Sequence, residues 1–553
     1  LQMLLESLSS IIDQISKSVL DLSKASIKAH ELFKHFRVPT GIAQSDMNVD
    51  TATNDTLGRI VKIALHFIDN LLRNEVYSHS RALVLKSFGD FYFRTQADAH
   101  THGDLHDPAF APPLCLAQPE LYAIGSTATS LPNEHTLLLI IEKLTLSSTQ
   151  LMDQEGSFIA PVLRGIVSNR LAVLTIVFGF PEPNSAHYDT LLILFTLYPD
   201  VHFTVQKNLV RECGQTSPLG FKPPFRIPTN PLEPPMSLSL AAVHATALSG
   251  TLGGYVYPKI AASAPGLQAY AGSVFAVTCG HVVLKDTAAN EEGNMYSVNS
   301  YPHVAVPSPV LINMYRAALT HERGKYPAKS EESYAYAHVI AQIDALFPCG
   351  DAGKNTPATP FGQLVWGERT ILHKTNKLSD LAIIKMDKTL RCHNTLGDDV
   401  SFAEYDPSLM FKNLRVRKTV TLLDFVETRG MHVFKYGSTS KFTQGRVNGI
   451  KMVYWANGKL QTSEFVIAST GGARALAGLF ASGGDSGAWI LTKLQDLQSA
   501  TDPERARDYA RGGLGVCGML HSYDGEFKQF GLFTPMEDVL SRLHEVTNVE
   551  WGI

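Results

Sequence analysis

Apolar residues at Leu1, Leu4, Leu5, Leu8, Ile11, Ile12, Ile15, Val19 and Leu22 recur at helical spacing. They predict an amphipathic helix that runs towards Arg37 until Pro39 stops it. A second helix is predicted over about 56–73, with Leu57, Ile60, Val61, Ala64, Leu65, Ile68 and Leu72 on one side. From 134 to 210 the pattern changes to short apolar runs at 136–141, 171–180, 191–197 and 201–205, separated by turns such as Pro181-Glu182-Pro183. Runs of that length between turn residues predict a small sheet, so 1–212 reads as an α+β domain with its own core. Six prolines in 221–235 exclude a helix or central strand, and 213–244 reads as a linker or exposed strap. Beyond 245 strand-like runs dominate, starting with a glycine-rich hairpin at 250–257. Helices are expected near 315–323 and 335–346 inside an insertion at 287–359, after Thr501-Asp502-Pro503-Glu504, and after Thr534-Pro535-Met536-Glu537. The segment 245–553 therefore reads as a mainly β domain.

Composition narrows the function classes. A length of 553 residues exceeds what one core supports, and 44% hydrophobic with 18% charged residues is the balance of a globular protein. A net charge of -4 gives no general attraction to nucleic acid or anionic membrane. The six cysteines, Cys115, Cys213, Cys279, Cys349, Cys392 and Cys517, are scattered without zinc spacing, so free thiols and no metal or cofactor are expected. The histidines and aspartates of 98–107 lie among glycine and proline and read as a polar loop. With apolar runs too short to span a bilayer and no charged-then-apolar leader, a reducing, cytoplasmic setting is the expectation.

Three stretches carry candidate chemistry. Gly484-Asp485-Ser486-Gly487 surrounds a serine with what a nucleophile needs. Gly484 permits a sharp turn that aims the amides of Gly484 and Ser486 at an oxyanion, Asp485 would hold the loop from beneath, and Gly487 would leave room for substrate. His281 follows the apolar run 272–279 and is the candidate general base. Asp380, before the run 381–386, is the candidate that orients its imidazole. Each signal alone is weak, because such residues also serve ordinary turns. The three together, in the order His, Asp, Ser, point to nucleophilic acyl transfer.

That order, and the wording around each residue, resembles the trypsin/chymotrypsin-like serine endopeptidases over about 245–545. The resemblance implies a chymotrypsin-like double antiparallel β-barrel, mainly β, preceded by the α+β region. In that family 433–447 corresponds to the hairpin opening the second barrel, 513–522 to the strand that holds substrate, and 531–535 to the strand before the closing helix. It places Phe480 at the base of the specificity pocket, with Leu520, His521 and Ser522 along its wall, and so implies a shallow apolar pocket that disfavours Lys and Arg. Secreted members carry a cysteine after the catalytic histidine. Here Val282 stands in its place, and no Ile/Val-Val-Gly-Gly activation terminus is present. Among these peptidases the chain is most similar to the fungal amino-acid-sensing (SPS) signalling endopeptidases. These cut off an inhibitory prodomain that stays bound, act on latent transcription factors, and work with sensor proteins at the plasma membrane. The resemblance implies the same partners here, with self-cleavage between Cys213 and Ser249. A module of a fungal immune-type receptor and a non-catalytic pseudopeptidase scaffold remain alternatives.

Overall fold

A computed structural model describes residues 121–125, 134–147, 154–165, 172–184, 201–212, 225–243, 245–260, 271–284, 302–347, 361–372, 374–397, 414–455, 461–469, 479–499 and 502–553, with a few shorter pieces between them. The helices expected over 1–37 and 56–73 and the polar loop at 98–107 lie outside the described residues. The chain divides into two compact units, one of Leu1–Val210 with Asn448–Gln461, the other of Arg211–Val447 with Thr462–Ile553.

In the first unit the strand Phe158–Gly165 pairs antiparallel with Ala172–Phe180, which pairs parallel with His202–Lys207. Met452–Trp455, from the far end of the chain, pairs antiparallel with Phe158–Gly165. The helix Glu134–Ser147 packs Leu137, Ile140, Ile141 and Leu144 into the core of this sheet together with Ile159, Phe178, Phe203 and Trp455. The run 136–141, read as a strand, is therefore helical, lying within Glu134–Ser147, and of the run 191–197 the described residues Leu194 and Leu197 are helical. In Thr136-Leu-Leu-Leu-Ile-Ile the exposed Leu138 and Leu139 fill the helix's outer face, which hides the 3.6-residue period and leaves what looks like a continuous strand run.

The second unit is mainly β. One antiparallel sheet is ordered Trp551–Gly552, Gly254–Pro258, Phe275–Thr278, Lys377–Met386, Gly362–Leu372, His303–Ala305, Ser239–Ala242, Gly250–Thr251. Six further strands close into a ring: Leu514–Asp524, Trp489–Lys493, His432–Gly437, Lys441–Val447, Gln461–Ser469 and Phe530–Pro535, the last pairing back onto Leu514–Asp524. The hairpin expected at 433–447 is present, turning through 438–440. The expected pairing at 250–257 is not, because Gly250–Thr251 pairs with Ser239–Ala242 and Gly254–Pro258 with Phe275–Thr278.

The reading of 213–244 as an exposed linker needs correction. Phe225, Arg226, Met236, Leu238, Leu240 and Ala241 are buried, the Arg226 guanidinium is held by the Met236 and Leu396 carbonyls, and Ser239–Ala242 is a sheet strand. The prolines forbid regular structure only where they stand, and the apolar residues after Pro235 supply a strand. The insertion forms two helices, Pro309–Arg323 and Glu331–Leu346, whose Leu311, Tyr315, Leu319 and Ile343 share a small core with Phe225. The helix Pro503–Ala510 is capped by Asp502, whose carboxylate accepts from the Glu504 and Arg505 amides. The closing helix Met536–Thr547 begins after Pro535 with no side-chain cap.

Candidate active site

His281 sits in a single helical turn, Gly280–Val283, that follows the strand Phe275–Thr278. Only glycine fits at 280, because a Cβ there would lie 2.4 Å from the Glu368 carbonyl oxygen. Asp380 lies inside the strand Lys377–Met386 rather than before it. That strand pairs with Phe275–Thr278 and so brings the carboxylate under the imidazole. The Asp380 Oδ2 is 2.5 Å from His281 Nδ1, and its Oδ1 accepts from the His281 backbone N–H at 3.0 Å. Burial alone would push the His281 pKa down, but the charge and hydrogen bond of Asp380 outweigh it, Glu212 adds to them, and the result lies above the ordinary 6.5. For Asp380, burial acts upward while the His281 charge, its ring and backbone hydrogen bonds and Arg369 hold the carboxyl well below the usual carboxylate range.

Ser486 lies in the turn before the strand Trp489–Lys493. Its hydroxyl donates to the His521 carbonyl oxygen at 3.2 Å, and His281 Nε2 has no hydrogen-bond partner among the described residues. The serine–histidine bond is therefore not made in this unliganded arrangement, as is common where that bond tightens only on substrate binding. Gly484, at φ +98°, takes a conformation that side-chain-bearing residues rarely adopt. Its carbonyl accepts from Thr251 Oγ1 at 2.9 Å and Ser438 Oγ at 2.5 Å, while the Thr251 N–H donates to the Ser486 carbonyl at 2.7 Å. Both carbonyls are thereby held by hydrogen bonds from Thr251 and Ser438. Gly487 has a role other than leaving room for substrate: a Cβ there would meet the Thr251 carbonyl at 2.3 Å and Thr278 Oγ1 at 2.4 Å, so the glycine allows close packing of the loop.

Beneath the loop Asp485 is fully buried and fully satisfied. Its Oδ1 accepts from the amides of Thr439 and Ser440, and its Oδ2 from the Ser482 amide, Ser440 Oγ and the ammonium of Lys435, the last at 3.0 Å. The side chains of both Lys435 and Asp485 are 0% exposed. Peptidases activated by a new terminus pair this aspartate with an α-amine; here an internal lysine supplies the cation. Sequence reasoning missed Lys435, whose only signal was a lysine interrupting an apolar strand run.

The Phe480 ring is buried where a Cβ on Gly531 would come within 2.5 Å of it, and Thr443 Oγ1 donates to its carbonyl. Leu520 is a core neighbour of Phe480, and His521 Nδ1 is 3.0 Å from Ser522 Oγ. The Cys279 thiol donates to the Leu520 carbonyl at 3.2 Å and lies with His281 and Asp380 in a group whose donor atoms fall within 4.8 Å. With one histidine nitrogen already taken by Asp380, that group fits hydrogen bonding better than metal ligation. Cys279, Cys392 and Cys517 are free thiols.

A closed antiparallel barrel beside a second antiparallel sheet, with histidine and aspartate on one and a glycine-flanked serine on the other, defines the chymotrypsin-like class of serine peptidases. The chain belongs to peptidase family S64, whose model matches residues 115–553. The model of the SSY5 N-terminal domain matches 1–100. The protein is thus a serine peptidase of the SSY5 type. Three solved structures are similar at low identity. A glutamic-acid-specific serine protease described as using a histidine triad in substrate binding shares 12% identity over 57% of this chain and 98% of its own, with a TM-score of 0.25. Thermobifida fusca protease A shares 11% over 55% and 91%, also at 0.25. Nocardiopsis protease shares 11% over 57% and 98%, again at 0.25.

Proposed function

We propose that this peptidase cuts its own chain shortly after Glu212, keeps the N-terminal part as an inhibitor, and then performs limited proteolysis in amino-acid signalling. The observation that carries the self-cut is the strand Val210–Glu212, which pairs with Leu514–Asp524, the strand expected to hold substrate. Arg211 lies against Gly525 and pairs with Glu526, whereas Glu212 pairs with Arg369 beside Asp380. The chain therefore runs from the far end of that strand towards the triad, the direction in which the acyl side of a peptide substrate adds as an extra strand.

In the proposed chemistry His281 takes the Ser486 proton as Oγ attacks the scissile carbonyl carbon. The C–N bond then breaks as His281 returns the proton to the leaving amine, and water releases the acyl group by the same route. Asp380 holds the tautomer, and the amides of Gly484 and Ser486 stabilise the oxyanion. Phe480, with no acidic group at the pocket base, disfavours Lys and Arg before the cut. Latent transcription factors are the proposed substrates and sensor proteins at the plasma membrane the proposed partners, in a cytoplasmic setting. The experiment is expression of the chain beside a Ser486→Ala form. Wild type is expected as two co-purifying fragments, the smaller roughly 23 kDa of the 60.5 kDa total; one uncut band in both would refute the self-cut.

A further inference from the structure

Arg369 stands on the strand Gly362–Leu372 directly opposite Asp380 in register. Its Nε lies 3.9 Å from Asp380 Oδ2, and its guanidinium makes an ion pair with the Glu212 carboxylate. The arginine side chain is 23% exposed and that of Glu212 35%, so the pair is partly withdrawn from water while remaining reachable from outside. Successive residues of an extended strand point to opposite sides. Accordingly Arg211 reaches Glu526, where both side chains are about half exposed, and Glu212 reaches Arg369 beside the triad. The residue that fills this place therefore meets one specific charged partner, and that partner lies within 3.9 Å of the carboxylate that orients His281.

We propose that Arg369 is a subsite for an acidic side chain of the peptide being cut, filled by Glu212 in the uncut chain and by an aspartate or glutamate of a protein substrate afterwards. The inference rests on the reading of Val210–Glu212 as a substrate-like strand. A guanidinium recognises a carboxylate through two N–H donors in a fixed fork, which lysine does not reproduce. Occupancy also matters electrostatically. The Glu212 charge favours the imidazolium form of His281 and Arg369 opposes it, so an acid bound at Arg369 offsets a cation that otherwise disfavours the charged histidine formed during attack. Arg369 is thus a specificity residue that couples recognition of an acid to the readiness of the triad.

The test uses the self-processed full-length protein and two quenched peptides spanning 207–220, one with the natural Glu212 and one carrying Glu212→Gln. Wild type is expected to prefer the glutamate peptide about tenfold in kcat/KM, the worth of roughly one charge-assisted hydrogen bond. With Arg369→Gln the preference should fall to about one, whatever that substitution does to overall rate through Asp380. In the intact chain Glu212→Lys should slow the self-cut at least about tenfold, because it sets a like charge against Arg369. Equal use of both peptides by wild type, or a Glu212→Lys chain that cuts itself at the wild-type rate, overturns the subsite. A wild-type chain that stays uncut yet prefers the glutamate peptide overturns self-processing and leaves the subsite standing.

Discussion

At the scale of single residues, function rests on charges that water scarcely reaches. The histidine acts as a base only when neutral, so kcat/KM should rise with pH along a limb centred above 6.5, because Asp380 raises the His281 pKa. A pH–rate profile with its acid limb below 6.5 would contradict the assignment. The sign for stability is the reverse. A group whose folded pKa is raised contributes stability that is complete below the unfolded value and fades as pH climbs through the folded one, whereas the lowered Asp380 contributes above about 3.8 and is lost on acidification. Asp380→Asn should leave the fold intact and lower kcat about 10⁴-fold through the wrong tautomer. Lys435→Met removes one partner of a buried pair, and Asp485 then remains uncompensated. The expected loss is about 3–5 kcal/mol in urea unfolding, with a fall in activity because the same carboxylate shapes the loop bearing Gly484 and Ser486. Unchanged stability would show that Asp485 needs no cation.

At the scale of elements, the closing helix does more than cover apolar surface. Val539 and Leu543 are buried in the main core of the second unit, as its apolar stripe predicts. Arg542 on the same helix clamps the buried Glu368 through Nε and Nη2 at 2.7 and 2.8 Å, and Glu368 accepts from Ser379 Oγ at 2.5 Å, next to Asp380. Arg542→Met should therefore cost about 3–5 kcal/mol by leaving a buried carboxylate unpaired. Arg542→Lys should recover only part of it, since the contact is two-pronged; equal stability of the lysine form, measured by denaturant unfolding, would refute that. None of this clamp is legible in the sequence, because Arg542 and Glu368 are 174 positions apart. The histidine and serine were legible because each stands in a short motif whose meaning is local: a strand end, a glycine-bounded turn. Lys435 and Arg369 were not, since a charged residue in a strand acquires its meaning from a partner on a distant segment. The helix Glu134–Ser147 was misread where its outer face is apolar, and the proline strap where its apolar continuation outweighed its prolines.

At the scale of the whole molecule, the chain passes between its two units three times, at 210–211, 447–448 and 461–462. The first crossing lies beside the proposed cut, and the other two flank an excursion whose strand, Met452–Trp455, belongs to the sheet of the first unit. Asn448 anchors that excursion, accepting from the Ile124 amide and donating to the Pro161 carbonyl at 2.6 and 2.7 Å. Severing the chain after Glu212 would thus free no ready-made domain. The catalytic fragment would still lend a β-strand to the fragment it has released, with Trp455 wholly inside that borrowed sheet. Dissociation would then require a hydrophobic sheet to lose a member, so its rate would follow local unfolding of the N-terminal part rather than the strength of any docking surface. Dilution and salt should barely separate the fragments, mild denaturant should part them cooperatively, and a regulator acting on this peptidase would have to unfold or destroy the N-terminal part to remove it.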